Sequence, residues 1–235
     1  MLTAGGILGA DGILAVNNLS KTFHIYQPER TIKSCGDISF RLREKEFMGI
    51  VGPSGSGKST VLRCVYQTYI PDQGEIVYRS RLFGCIDLAR ASEREILAVR
   101  QKEIGYVSQF LTALPRITAR AIVENSAAEG GLPPGQAREA AAEMLAYFRL
   151  PAELWDIYPY MFSGGEKLRL NLAKAMVKRP RLLLLDEPTA SLDAGAKGLV
   201  RELLLKLSRE GTSMIGIFHD LDFMDGLCDH VLTMG

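Results

Sequence analysis

Residues 52–60 read Gly52-Pro53-Ser54-Gly55-Ser56-Gly57-Lys58-Ser59-Thr60, which fits G-x-x-x-x-G-K-[ST]. That pattern requires a strand before it and a helix after it. Both are present. Phe47 to Val51 is an apolar run of strand length, and Val61, Leu62, Val65 and Tyr69 recur at helical spacing. Gly52, Gly55 and Gly57 let the backbone turn tightly and bring N–H groups close to phosphate oxygens. The helix N-terminus adds unpaired donors and a partial positive charge. Lys58 can reach the β- and γ-phosphates of a nucleoside triphosphate, and the Ser59 hydroxyl can ligate Mg²⁺.

Length and charge narrow the remaining options. A chain of 235 residues forms one large domain or two small lobes. Its 28 basic and 27 acidic residues give a formal net charge of +1. The basic stripe of a nucleic-acid grip is missing, so no nucleic-acid partner is expected. Cys35, Cys64, Cys85 and Cys228 are far apart and form no C-x-x-C pair. They suit a reduced cytoplasm better than a disulfide framework or a zinc site. No apolar run approaches the roughly 18 residues needed to span a bilayer, so direct membrane insertion is not expected. Met1 to Leu14 is apolar and glycine-rich, but it lacks a basic n-region and Asp11 interrupts it. Residues 1–12 therefore read as a flexible leader and not as a signal peptide.

Strand and helix patterns alternate along the chain, as in a mostly parallel α/β sheet. Ile13 to Leu19 and Asp37 to Arg43 read as half-buried alternating strands. Gly74 to Tyr78 and Glu103 to Val107 continue the β signal, with a helix expected over Ala91 to Arg100 between them. Leu182 to Leu185 suits a strand buried on both faces. Ser213 to Phe218 is a further apolar run. Between Gln109 and about Arg179 the pattern turns helical, over Ala119 to Ala128, Gln136 to Arg149 and Gly164 to Lys178. The segment Gly130-Gly131-Leu132-Pro133-Pro134-Gly135 breaks the first of these from the second. This stretch reads as a helical lobe inserted into an α/β core.

A second nucleotide signal is Leu182-Leu183-Leu184-Leu185-Asp186-Glu187-Pro188. A carboxylate ending a buried strand sits where open α/β sheets bind ligands. Asp186 is expected to hold Mg²⁺, and Glu187 to act as general base on the attacking water. Phe162-Ser163-Gly164-Gly165-Glu166 lies 23 residues upstream of Asp186 at a helix start. Capping alone accounts for Ser163 and Glu166, because Ser-x-x-Glu is a capping box. It does not account for two glycines, each costing about 1 kcal/mol in a helix relative to alanine. Close approach of another backbone or a phosphate would explain them.

With these motifs in order, the chain resembles the ATP-binding-cassette ATPases from Ile13 onward. The resemblance implies a P-loop NTPase fold with a mostly parallel core sheet, an antiparallel β part and an inserted helical lobe. The domain would be single over 13–235, with the core at about 13–108 and 180–235 and the lobe at about 109–179. In that family the Ser163-Gly164-Gly165 segment is the signature that contacts the γ-phosphate on an opposing subunit. Glu166 stands where glutamine is usual. Gln109 in Tyr-Val-Ser-Gln-Phe resembles the glutamine that senses γ-phosphate and Mg²⁺. Asp193 in Ala-Ser-Leu-Asp resembles the loop that crosses the dimer interface, and His219 in Gly-Ile-Phe-His-Asp the switch histidine on the γ-phosphate. Phe23 takes the place of the aromatic that stacks on adenine. ATP and Mg²⁺ are the implied ligands. Each site would need two cassettes, so the working unit would be a homodimer or a heterodimer with a similar ATPase.

Within the family, Val107-Ser108-Gln109-Phe110-Leu111 followed by Leu114-Pro115-Arg116-Ile117, and Phe218 before His219, are unusual for transporter ATPases. Together with Leu154-Trp155 and Pro188-Thr189-Ala190-Ser191-Leu192-Asp193, they resemble a cassette subunit of the bacterial carbon–phosphorus lyase system, which makes phosphonates usable. That resemblance implies a cytoplasmic protein working with soluble lyase subunits on the step that joins a phosphonate to the ribose of a purine nucleotide. The alternative is the ATPase of an importer or lipoprotein-release transporter, with a membrane permease as partner.

Overall fold

The computed structural model describes residues 8–26, 29–108, 116–190 and 192–235. Strands β1 (Gly12–Tyr26), β2 (Glu29–Arg43), β4 (Gln73–Ser80) and β5 (Gly84–Asp87) form an antiparallel sheet in the order β2-β1-β4-β5. Strands β3 (Phe47–Val51), β6 (Ile104–Val107), β7 (Leu182–Asp186), β8 (Ser213–Ile217) and β9 (His230–Thr233) form a parallel sheet in the order β6-β7-β8-β3-β9. Because these strands run the same way, the loops after β3, β6, β7 and β8 leave from one edge of the sheet. That edge is where an open α/β sheet binds ligands.

The leucine run of β7 shows why the parallel sheet holds. All five residues are buried. Leu183 and Leu185 pack with Phe47, Met214 and the helical residues on one face, while Leu182 and Leu184 pack with Met48, Ile50, Ile215 and Ile217 on the other. A strand apolar at every position is thus covered on both sides, as its sequence predicts.

Helices α1 (Lys58–Val65) and α2 (Glu93–Lys102) belong to the core. Helices α3 (Ala119–Glu129), α4 (Pro134–Tyr147) and α5 (Gly164–Met176) pack on one another to make the inserted lobe. Ser126 donates to the Lys174 carbonyl at 2.8 Å, tying α3 to α5. Trp155 is structural. Its indole donates to the Leu150 carbonyl at 2.9 Å, and Arg120 lies 5.2 Å over its ring while gripping Asp156 through two nitrogens. After the lobe come α6 (Ala194–Arg209) and the short α7 (Leu221–Met224). Among the described residues no helix is long and apolar enough to cross a membrane.

Several expectations need correction. The first half of Ile13 to Leu19 is not half-buried, since Ile13, Leu14, Ala15 and Val16 are all buried. Ala15 sits with Val77 and Leu8 on the face away from the main core. Both β1 and β2 run well beyond the expected bounds, because bulges between Val16 and Thr22 break the two-residue alternation that marks a strand. Pro134 is not part of the breaker. It opens α4, where its missing N–H costs nothing. Helix α2 starts at Glu93, set by a capping box between Ser92 and Glu95. Most of the leader, residues 1–7, falls outside the described residues, and β1 already begins at Gly12.

Candidate nucleotide and metal site

The loop after β3 enters α1 through Gly57, whose φ of 90° is left-handed. A Cβ there would lie 2.1 Å from the Ser34 carbonyl oxygen, so only glycine fits. At Gly55 (φ 83°) a Cβ would meet no atom within 4 Å, and the space above the loop stays open. No side chain caps α1 and no acidic residue sits in its first turn. Its first N–H groups and their partial positive charge are therefore left without a partner from the helix's own first turn. A cavity of about 190 Å³ lies there, lined by Ser54, Gly55, Lys58, Ser59, Thr60 and Glu187 among others. Ser56 Oγ is buried without a partner.

Lys58 is only 4% exposed. Its ammonium donates to the Gly52 and Pro53 carbonyls at 2.9 and 2.7 Å, folding back over the loop. The Thr60 hydroxyl is 2.7 Å from that of Ser34, which fastens α1 to β2.

Asp186 ends β7 with 3% exposure and is held from both sides. Ser59 Oγ donates to Oδ1 at 2.7 Å and Tyr106 OH donates to Oδ2 at 2.7 Å. Arg63 Nη2 lies 3.7 Å from Oδ2. Arg63 also donates to Tyr69 OH at 3.2 Å, a bond that holds its guanidinium above the usual pKa, with lesser help from Tyr106 and Asp186. Tyr69 in turn meets Phe23 edge-on, with ring centroids 5.1 Å apart. Phe23 is thus three contacts from Asp186.

Glu187 has a φ of 52°, a left-handed conformation uncommon for a residue with a side chain. Such strain collects at functional sites. Its Oε1 lies 2.8 Å from His219 Nε2, at the end of β8. The residue after that histidine, Asp220, accepts from Lys197 of α6 at 2.6 Å and caps α7 by accepting from Phe223 N at 3.0 Å. These bonds fix the segment bearing His219. Lys58, Ser59, Asp186, Glu187 and His219 therefore converge on one edge of the sheet.

Ser163 to Glu166, expected to be the signature segment, forms a closed capping box. Ser163 N donates to Glu166 Oε2 at 2.8 Å, and Glu166 N donates to Ser163 Oγ at 3.3 Å. A Cβ on Gly165 would lie 3.0 Å from the Ala196 methyl, so close packing of α5 on α6 accounts for that glycine. Asp193 caps α6 by accepting from Ala196 N at 2.8 Å. Gln109 lies outside the described residues. Its neighbour Ser108 is fixed through its carbonyl, which accepts from Asn171 Nδ2 of α5 at 3.1 Å. Tyr106, Arg63, Asn171 and Lys197 carried no motif signal, because each works through a partner distant in sequence. The thiols are not chemical candidates here. Burial pushes Cys64 up to about 12 and raises Cys35 as well, so both are protonated at neutral pH.

A phosphate loop entering a helix beside a strand-end aspartate defines a P-loop nucleotide-binding protein. The chain belongs to the ATP-binding-cassette family, as an ATP-binding subunit: residues 35–190 match the family described as ABC transporter. The chain is 31% identical over 227 residues to the methionine import ATP-binding protein MetN of Photobacterium profundum, covering 95% of this chain and 62% of that protein. It thus spans about three fifths of that relative's length. With PhnK of Escherichia coli (strain K12), an ATP-binding protein named for phosphonates utilization, it is 36% identical over 226 residues, or 94% of this chain and 85% of PhnK. The fold matches the ATP-binding cassette MJ0796, solved as a dimer in a post-hydrolysis state with ADP and Pi. The TM-score is 0.85, at 27% identity over 94% of each chain.

Proposed function

We propose that the chain is a Mg²⁺-dependent ATPase that works as an ATP-gated dimer within a phosphonate-utilization system. The observation that carries the ATPase reading is the convergence of Ser59 on Asp186 at 2.7 Å and of Glu187 on His219 at 2.8 Å beside the open loop. The residues suit the ligands: the uncapped helix start, the open space over Gly55 and the unpartnered Ser56 Oγ favour a polyphosphate. In this reading Phe23 stacks on adenine, and the backbone of residues 52–57 with Thr60 cradles the phosphates. Lys58 exchanges two carbonyl partners for β- and γ-oxygens. Ser59, Asp186 and Gln109 would hold Mg²⁺, which would supply charge neutralisation at the phosphate oxygens. Glu187 takes the proton of the attacking water, and His219 orients Glu187 while facing the γ-phosphate.

Ser163, Gly164, Gly165 and Glu166 act on the nucleotide of a second cassette, and Asp193 lies along the contact between the two. The dimeric assembly of MJ0796 supports this arrangement. The cap geometry gives it a specific test. Ser163→Ala should cost about 1 kcal/mol of stability by loss of the cap. Ser163→Asp should keep the cap yet oppose a γ-phosphate, so thermal unfolding should recover while ATP-dependent dimerisation is lost. Dimerisation intact in Ser163→Asp would remove Ser163 from the interface.

The phosphonate context rests on the resemblance of residues 107–111, 114–117, 154–155, 188–193 and 218 to the L subunit of carbon–phosphorus lyase (PhnL), and on the 36% identity to PhnK over 85% of its length. The L subunit works on the step giving a ribose 1-phosphonate 5-triphosphate, and soluble lyase proteins would be the partners. A second reading, the ATPase of a membrane importer, is supported by the similarity to MetN. Tagged Glu187→Gln protein with ATP and Mg²⁺ should co-purify soluble lyase subunits from phosphonate-grown cells without detergent. Recovery only with a membrane permease, after detergent release, would favour the importer.

A further inference from the structure

We propose that Tyr106 is a positioning residue for the metal-site carboxylate: its hydroxyl fixes Asp186 Oδ2 so that Oδ1 stays aimed at the Ser59 side. The inference rests on the reading of Asp186 and Ser59 as the Mg²⁺ residues. Asp186 is almost wholly buried, so its charge depends on protein donors for solvation. Two hydroxyls supply them, Ser59 to Oδ1 and Tyr106 to Oδ2, both at 2.7 Å, while Arg63 stands further off at 3.7 Å. A Ser59 oxygen engaged by a cation turns its lone pair to that cation. Tyr106 is then the close hydroxyl whose role does not change, and it holds the carboxylate against rotation.

The placement of Tyr106 suits this task. On β6 it pairs with Leu184 of β7, two residues before Asp186, so its side chain reaches forward along the neighbouring strand to the carboxylate. The ring is braced. Tyr66 lies against it with centroids 4.9 Å apart, and the Arg100 guanidinium covers Tyr66 at 4.3 Å. This stack fills one wall of a cleft between the core and the helical lobe, where Asn171 also binds the Ser108 carbonyl. Rigid outer partners of this kind orient a metal ligand, and their removal typically weakens metal binding by about 10- to 100-fold.

Tyr106→Phe tests the idea because phenylalanine keeps the ring and its stack and drops only the hydroxyl. Nucleotide affinity for ATP without divalent cation should match the wild type, which also reports an intact fold. The Mg²⁺ concentration that half-saturates the complex with AMP-PNP should rise about 10-fold or more. Mn²⁺ titrated into the AMP-PNP complex and followed by electron paramagnetic resonance should bind correspondingly more weakly. Wild-type nucleotide binding with an unchanged Mg²⁺ and Mn²⁺ dependence in Tyr106→Phe would overturn the role of Tyr106 alone. A wild-type protein that binds no nucleotide would overturn the nucleotide reading and this inference with it.

Discussion

Glu187→Gln is expected to bind ATP as the wild type does and to hydrolyse it at least about 10²-fold more slowly, the usual loss when a general base is removed. The substitution is nearly isosteric. Glutamine keeps an oxygen or an NH₂ within reach of His219 Nε2, now 2.8 Å from the carboxylate, so the arrangement of β7 and β8 ends should survive. What is lost is the capacity to take a proton. The left-handed φ of 52° aims the side chain into the cavity beside Lys58 and Ser59, not along the strand. A dimer that closes on ATP and opens on hydrolysis should then accumulate in its closed form. Single-turnover phosphate release measures the rate, and nucleotide titration measures the affinity. A rate equal to the wild type's would take Glu187 out of the chemistry and move attention to His219.

Lys58→Ala should have the larger effect on binding. Hydrogen bonds from a charged donor contribute about 1.5–3 kcal/mol, a loss of about 10- to 150-fold in ATP affinity. Lys58 is buried over its own loop, so alanine also leaves a void beneath Gly52 and Pro53. Lys58→Met separates the two effects by retaining most of the stem volume without the charge. Both variants should bind ATP weakly in calorimetric titration and lose the two carbonyl bonds of the ammonium. The alanine variant, which also opens a void, should melt earlier than the methionine variant. Wild-type affinity in Lys58→Met would mean that the ammonium serves the loop and not the phosphates.

The phosphate-loop pattern and the carboxylates that end an apolar run were legible in the sequence because each pattern is contiguous. Backbone donors, helix start, Lys58 and Ser59 lie within nine consecutive residues. Residues that act across the fold left no such trace. Tyr106 and Asp186 are 80 positions apart, and nothing in either segment announces a hydroxyl–carboxylate bond. Helix α6 is a different lesson. Its apolar positions Val200, Leu203, Leu204 and Leu207 have helical spacing, and Asp193 is a strong N-cap. Asp193 thus carries a motif pattern and a capping signal at the same position. At Gly165 the close neighbour within the chain is the Ala196 side chain, 31 positions away, which no local pattern announces. In β1 the bulges that carry the strand past Asn18, itself at φ 50°, erase the alternation on which strand length is judged.

In the proposed arrangement one chain holds only part of an ATPase site and a second cassette completes it. The ATPase rate per chain, measured across a wide range of protein concentration with ATP and Mg²⁺ in excess, tests this most directly. The expected result is a rate per chain that climbs with concentration, or that stays negligible until a second cassette protein is added. A substantial rate that is constant per chain down to concentrations where sedimentation shows only monomer would contradict it.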